Sequence, residues 1–257
     1  MSFETILVEH GKIARIKLNR PDKRNALSAL MMKEVADALF ELDKDDKVNV
    51  IILSGEGKGF CAGAELDSMS GGIEDSRKSK KNLVNLLKAM ASVSKVIISQ
   101  VHGFALAGGF GVMAAADLVV VADNAKLGMP EIKRGLFPFT IMANLSRILP
   151  QKKLLEMCFT GDNISAQEAL TCGLVNKVVA SEDLEKETML LAEKIAKYSS
   201  VALGLGKQAY YTMRDMEYNN SMDYLIEMLT IISQTEDAKE GINAFFEKRD
   251  PVWKADK

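Results

Sequence analysis

Apolar positions in the first part of the chain fall into short runs of distinct periodicity. Residues 5–10 and 12–18 form two β-like runs on either side of Gly11, as expected of a hairpin. Residues 28–43 then place Leu30, Val35, Leu39 and Leu42 at helical spacing behind Ser28, whose hydroxyl suits an N-cap. Val50-Ile51-Ile52-Leu53 is a continuous apolar run, the pattern of a strand covered on both faces. The strand-and-helix theme returns with a helix over 81–92, a strand over 95–101 and another over 118–122. From Asp183 onward Leu184, Leu191, Ile195 and Tyr198 recur at helix-like intervals, and methionine-rich segments continue through 205–232. Most of the 18 glycines precede that point, and no proline lies between Pro150 and Pro251. The pattern predicts an α/β core followed by an all-helical C-terminal extension. The polar stretch 68–79, SMSGGIEDSRKS, reads as a mobile surface loop beside a site.

Composition narrows the possible partners. The 257 residues carry 33 Lys and Arg against 35 Asp and Glu, a net charge of −2, so no global basic field exists to hold nucleic acid or an anionic membrane. Cys61, Cys158 and Cys172 are too few and too scattered for a disulfide framework or a zinc site, which points to free thiols, no bound metal and a reducing compartment. No apolar run approaches the roughly 20 residues of a membrane helix. The opening MSFETILVEHGK has neither leader nor transit pattern, and a cytoplasmic location is expected.

Three segments hold the candidate chemistry: GKGFCAGAEL at 57–66, VHGFALAGGFG at 101–111 and LGMPEIKRGLFP at 127–138. Gly63 and Ala64 follow one strand, and Gly108 and Gly109 open a helix after another; outward-facing N–H groups at such places can serve as a pair of oxyanion donors. The same glycines would serve equally as turn and close-packing residues. Gly109-Phe110-Gly111-Val112-Met113-Ala114 matches G-x-G-x-x-A, with Glu131 at about the distance of a ribose-binding acid, but seven residues separate it from the preceding strand, where a dinucleotide turn would stand. No phosphate loop of the G-x-x-x-x-G-K-[ST] form and no G-x-S-x-G occurs, and His10 and His102 have no evident nucleophilic partner. Cys61 reads as a small packing residue.

Taken in order, Asn19-Arg20-Pro21 with Asn25-Ala26-Leu27, Phe60-Cys61-Ala62-Gly63-Ala64-Glu65-Leu66, Gly103-Phe104-Ala105-Leu106-Ala107-Gly108-Gly109 and Pro130-Glu131-Ile132 resemble the crotonase superfamily, the enoyl-CoA hydratase/isomerase family. The resemblance runs on through Thr160-Gly161-Asp162, Ala166-Gln167-Glu168-Ala169 and Gly173-Leu174-Val175 to Phe245-Phe246-Glu247-Lys248-Arg249, nearly the whole chain. It implies a spiral of ββα turns over 1–195, a helical region over 196–257 that builds trimers or dimers of trimers, and an acyl-CoA thioester as substrate. Coenzyme A then enters as part of the substrate, with no further cofactor.

By similarity, the N–H groups of Ala64 and Gly108 hold the thioester oxygen, while Ala62, Glu65, Leu66 and Asp67 line the acyl and pantetheine path. Lys23 and Arg24 face the nucleotide end of the coenzyme, Lys248 reaches a phosphate, across subunits if need be, and Phe137 to Phe139 is the place to look for chain-length selection. Hydratases of the family use two glutamates. The second is present as Glu131, among Met129, Ile132, Phe137, Pro138 and Phe139, apolar company that should raise its pKa; the first aligns with Gly111. Phe139 also stands where dienoyl-CoA isomerases carry a further acid. A single acid/base fits isomerisation of a 3-enoyl-CoA to a 2-enoyl-CoA. The alternatives are a hydratase in which Glu65 or Asp67, expected at a helix start beside the site, replaces the missing group, and a non-catalytic acyl-CoA-binding or assembly subunit.

Overall fold

The computed structural model describes residues 3–65 and 73–256. Strands β1 (Ile6–Glu9) and β2 (Ile13–Leu18) form the antiparallel hairpin expected around Gly11. They lead into a six-stranded sheet of order β1-β2-β3-β4-β6-β9, parallel beyond the hairpin, with β3 at Val50–Gly55, β4 at Val96–Val101, β6 at Leu118–Ala122 and β9 at Lys177–Val179. A second sheet of order β5-β7-β8 comprises Phe104–Leu106, Lys126–Gly128 and Asn163–Ile164.

From β4 to β7 successive strands alternate between the two sheets, and helices close the turns. Thus β4 and β5 lead to α3 (Gly108–Ala115), and β6 and β7 lead to α4 (Phe139–Leu145) and α5 (Gln151–Thr160). The turn after β3 contributes only an isolated parallel bridge, Cys61 with Ala105, before α2 (Ile73–Ser92). This is the spiral of ββα turns that the motifs implied. The short strands β5, β7, β8 and β9 escape the periodicity analysis because two or three residues carry too little pattern.

The continuous apolar run of β3 is explained by burial on both faces. Ile51 and Leu53 face one core with Leu39 and Leu42 of α1 (Ala29–Asp43) and Met90 of α2. Val50 and Ile52 face the other, where α7 (Leu184–Ala196) lays Leu184, Ala192 and Ala196 against Ile98 and Val120. Ser28 caps α1 as its sequence position suggests, its side chain accepting the Met31 N–H at 3.1 Å.

One expectation fails. The stretch 68–79 is not a loop from Ile73 onward: α2 begins there, eight residues earlier than the apolar spacing suggests. Glu74, Arg77, Lys78 and Lys80 are good helix formers, and a segment containing them extends an already nucleated helix without an apolar stripe of its own. Residues 68–72 lie outside the described residues.

Beyond α6 (Ala166–Thr171) and β9, the chain is helical as expected, with α8 at Ser200–Met213, α9 at Tyr218–Ser233 and α10 at Glu236–Glu247. A buried polar cluster fastens α8 to the sheet. The Lys207 ammonium, on a side chain only 5% exposed, lies 2.8 Å from the Asp117 carboxylate and donates to the Lys95 carbonyl at 2.9 Å. Asp117 also accepts from the Tyr211 hydroxyl at 3.0 Å and the Ile97 N–H at 2.7 Å. No helix among the described residues is long and apolar enough to cross a membrane.

Removing one member of such a pair strands a buried charge. Asp117→Ala is therefore expected to cost about 3–5 kcal/mol of folding stability in a urea titration, far more than a substitution at an exposed ion pair such as Lys33 with Asp37.

Candidate functional site

Two backbone segments meet at the end of the parallel strands. The first, 61–65, is held between two neighbours. On one side Leu27 donates to the Gly63 carbonyl at 2.8 Å and accepts from the Glu65 N–H at 3.2 Å, a parallel bridge that turns the Ala64 N–H away from Leu27. On the other, Cys61 donates to the Phe104 carbonyl and accepts from the Leu106 N–H. Ala64 is exposed, and its N–H has no backbone acceptor among the described residues.

The second segment leaves β5, makes one strained step and enters α3. Ala107 adopts φ 50° and ψ −126°, a conformation costing about 1–3 kcal/mol for a residue with a side chain. Its own N–H donates to the Gly128 carbonyl at 2.9 Å, which fixes the step. Gly108 then opens α3 with an N–H that, as in any first turn, has no partner within the helix. A Cβ on Gly108 would come 3.5 Å from the Ala64 nitrogen, and one on Gly63 would come 3.4 Å from the Gly108 nitrogen. The two free amides therefore lie side by side.

The glycines split between the two roles left open by the sequence. Gly109 is a packing glycine: a Cβ there would lie 2.6 Å from the Cys61 sulfur. Gly111 is another, with Ile141 filling the space, its Cγ2 2.1 Å from where a Cβ would sit. Position 111 thus lacks a carboxylate and also lacks room for one.

Glu131 lies in the one-and-a-half-turn 3-10 helix Pro130–Arg134, between β7 and α4. Its carboxylate is half buried, and Oε2 is shielded from solvent with no hydrogen-bond partner. Burial raises its pKa above the ordinary carboxylate value, opposed in part by a hydrogen bond from its own backbone and by the Arg134 charge. Cys158 stands nearby, its thiol pushed up by burial and by the Glu131 charge. The apolar company expected from the sequence is present with one correction. Pro138 is buried and Phe137 packs against the core, whereas Phe139 is 71% exposed and meets Phe137 in a tilted contact, ring centres 5.1 Å apart. On the far side Phe137 meets Phe159 at 6.2 Å.

The remaining sequence candidates divide. Arg24 is tied to the first segment, since its carbonyl accepts the Ala62 N–H at 3.0 Å while its guanidinium lies 4.5 Å over the Phe104 ring. Lys23 ends the neighbouring 3-10 helix Pro21–Lys23 and is exposed. Glu65 itself carries no regular secondary structure and its carboxylate is 2.6 Å from the Arg20 guanidinium; the helix expected to start there falls on residues 66–72, outside the described residues. Leu66 and Asp67 lie outside the described residues. Lys248 forms the left-handed cap of α10, a helix that packs on α8 and α9.

Several residues build the site without having been assigned a role in it from the sequence. Asn25, fully buried with φ 53°, donates to the carbonyls of Glu56 and Gly59 and accepts from the Arg20 N–H. Its own carbonyl receives the Cys61 thiol at 3.0 Å, and the sulfur also accepts the Gly63 N–H. Burial pushes the Cys61 thiol up to about 12, which makes it the inert packing residue expected. An asparagine in a left-handed turn is a readable hint. The plug Ile141 is visible only once α3 and α4 are side by side.

Comparison with known proteins supplies a context for this geometry. Residues 9–256 match the model of the family described as Enoyl-CoA hydratase/isomerase. Among curated proteins the chain is 36% identical over 244 residues to the rat mitochondrial enoyl-CoA hydratase domain-containing protein 3, covering 94% of this chain and 81% of that one. It is 35% identical over 256 residues to a probable enoyl-CoA hydratase of Rhizobium meliloti, covering 99% of both. Among solved structures, an enoyl-CoA hydratase of Mycobacterium smegmatis superposes with a TM-score of 0.94 at 31% identity, over 97% of this chain and 99% of that one.

The buried carboxyl of Glu131 has a consequence for folding. Its pKa is higher in the folded than in the unfolded chain, so the folded state retains a proton that the unfolded state has given up, and stability falls as pH rises through the interval between the two values. Glu131→Gln should therefore melt at a higher temperature than the native protein at pH 8, with the gap closing below about pH 4, as the carboxyl becomes protonated in both states. Scanning calorimetry at the two pH values checks the sign.

Proposed function

The chain belongs to the enoyl-CoA hydratase/isomerase family and is an enzyme of the crotonase superfamily; on that premise we propose that it converts 3-enoyl-CoA thioesters to 2-enoyl-CoA thioesters with Glu131 as its single acid/base. The observation that carries this reading is the filled space at Gly111. Ile141 occupies the volume that a second carboxylate would need, while Glu131 keeps a buried, unpartnered oxygen at an elevated pKa.

In this reading the thioester oxygen accepts hydrogen bonds from the Ala64 and Gly108 N–H groups. Glu131, ionised, takes a proton from C2 of the substrate. The electron pair left at C2 delocalises through the thioester carbonyl and the 3,4 double bond, and the negative charge on oxygen is met by the two amides, each such donor being worth about 3 kcal/mol of barrier. Glu131 then returns the proton to C4, and the double bond moves into conjugation. No atom is gained or lost, and the only proton donor and acceptor required is one carboxyl group.

The rest of the ligand follows the same proposal. Ala62 and Glu65 flank the path of the acyl and pantetheine chain, and Lys23 and Arg24 approach the nucleotide end. Arg24 is suited to this because its guanidinium is held 4.5 Å over the Phe104 ring beside the first segment. Phe137 is proposed to limit the acyl chain. Coenzyme A comes and goes with the substrate, and no other cofactor is invoked.

Self-association as a trimer, or a dimer of trimers, belongs to the same reading. It is supported by the apolar stripe Met222, Ile226 and Leu229 on α9 and by Ile242, Phe245 and Phe246 on α10, all of them exposed in the isolated chain. Lys248 stands two residues after Phe246, so assembly through α10 is the route by which that lysine would reach a neighbour's coenzyme phosphate. A cytoplasmic location, argued from free cysteines, is likewise a proposal, and the rat relative is named as mitochondrial. Enoyl-CoA hydration is the second reading, favoured by the names of relatives such as the Rhizobium meliloti protein. Against it, the Glu65 carboxylate is engaged by Arg20.

Incubation with a 3-enoyl-CoA is expected to yield conjugated thioester at unchanged mass, and with a 2-enoyl-CoA to show little water addition. Glu131→Gln should lower isomerase turnover by about 10²–10⁴-fold while acyl-CoA binding persists. Unchanged turnover in that variant would remove Glu131 from the mechanism, and rapid water addition by the native protein would favour the hydratase. In a separate measurement, Ile226→Glu combined with Leu229→Glu should convert the native assembly to monomer in sedimentation velocity.

A further inference from the structure

The contact between Ile141 and Gly111 bears on more than packing. Gly111 stands one turn into α3 from Gly108, and residues three apart on a helix share a face. A helical side chain also leans towards the N-terminus, so a group at 111 would project back over Gly108, where the thioester oxygen is proposed to sit. Ile141, 2% exposed on α4, fills this position from the opposite side. Its Cγ2 and Cβ would lie 2.1 Å and 2.6 Å from a Cβ on Gly111, whereas its Cα would be at an ordinary 3.7 Å.

The wall that carries Ile141 is the wall that carries Glu131. The 3-10 helix at Glu131 is closed by the Leu136 N–H donating to the Glu131 carbonyl at 3.1 Å, and the chain passes through buried Pro138 directly into α4. One continuous segment therefore presents an acid/base at one end and an apolar branch at the other. A water molecule poised to add across a double bond needs partners for its hydrogens and lone pairs. The methyl groups of Ile141 supply none and occupy the room.

We infer that Ile141 is the residue that sets reaction specificity in this enzyme: packed against Gly111, it excludes both a second carboxylate and a nucleophilic water, and so confines the site to moving a proton between carbons. This rests on the single-carboxylate reading of Glu131. Ile141 is a positioning residue in this account, acting through the volume it denies to water.

The distances dictate the variants. Gly111→Glu alone meets the isoleucine branch, and Ile141→Ala would still leave its Cβ 2.6 Å from the new one, so accommodating a glutamate requires Gly111→Glu together with Ile141→Gly. The experiment gives native protein, Ile141→Ala and this double variant a 3-enoyl-CoA and a 2-enoyl-CoA in separate incubations. It reads the ratio of water-added to isomerised product by mass, with thermal melting and acyl-CoA binding as checks on folding. The double variant is expected to raise the ratio by at least about tenfold, since a second acid/base group is worth about 10²–10⁴-fold in such steps.

Ile141→Ala, which opens the space without adding a carboxylate, should raise the ratio to a smaller extent, and it decides the matter if the double variant does not fold. Native protein that isomerises, beside a folded Ile141→Ala whose ratio is unchanged, overturns the inference and leaves the role of Glu131 intact. Native protein that already hydrates the 2-enoyl thioester rapidly overturns the single-carboxylate reading and this inference with it.

Discussion

The close approach of two backbone segments, 61–65 and 104–108, is the constraint on which the site depends. Each is already committed on its flanks: the first pairs with Leu27 on one side and with Phe104 and Leu106 on the other, while the second pairs with β7. What these pairings leave unspent is one N–H at Ala64 and one at the start of α3. Gly63 and Gly109 permit the approach, because any side chain there would strike Ala107 or Cys61. Ala107 absorbs the remaining misfit in a backbone conformation that residues with a side chain rarely adopt. The strained step and the free donors are thus two aspects of one geometry.

Around that pair of amides the chain spends stability elsewhere. Asn25 and Cys61 knit the loop 20–27 to the loop 56–63 with buried hydrogen bonds, which fixes the donors before any ligand arrives. Preorganised donors of this kind favour charge that develops on the bound oxygen, since nothing has to rotate into place during the reaction. Glu131 illustrates the opposite side of the balance. Its half-buried carboxylate disfavours its own charge, which raises its pKa above the ordinary carboxylate value.

The helical C-terminus is fastened to the spiral unevenly. α8 is anchored to the sheet through Lys207 and Asp117, and α7 through the face of β3 that carries Val50 and Ile52. The outer helices α9 and α10 are left with exposed apolar residues that a lone chain would hold in water. A cleft of about 510 Å³ between α2, α4 and α8 contains none of Ala64, Gly108 and Glu131.

By itself the sequence determined the α/β core, the buried character of β3, the Ser28 cap, the helical end and, through its motifs, the family and the candidates Ala64, Gly108 and Glu131. Those features are local: periodicity, capping and turn chemistry act over a few residues and are written in order along the chain. The early start of α2 was not legible, since helix-forming polar residues leave no apolar stripe, and neither were β5 and β7 to β9, which are too short to show a period. The irregular setting of Glu65 and its pairing with Arg20 required the fold, because the partners belong to different loops. So did the meaning of Gly111. The sequence shows an absent carboxylate, but only the packing of α4 on α3 shows that Ile141 has taken its place, because a contact between elements thirty residues apart is decided by how the spiral closes.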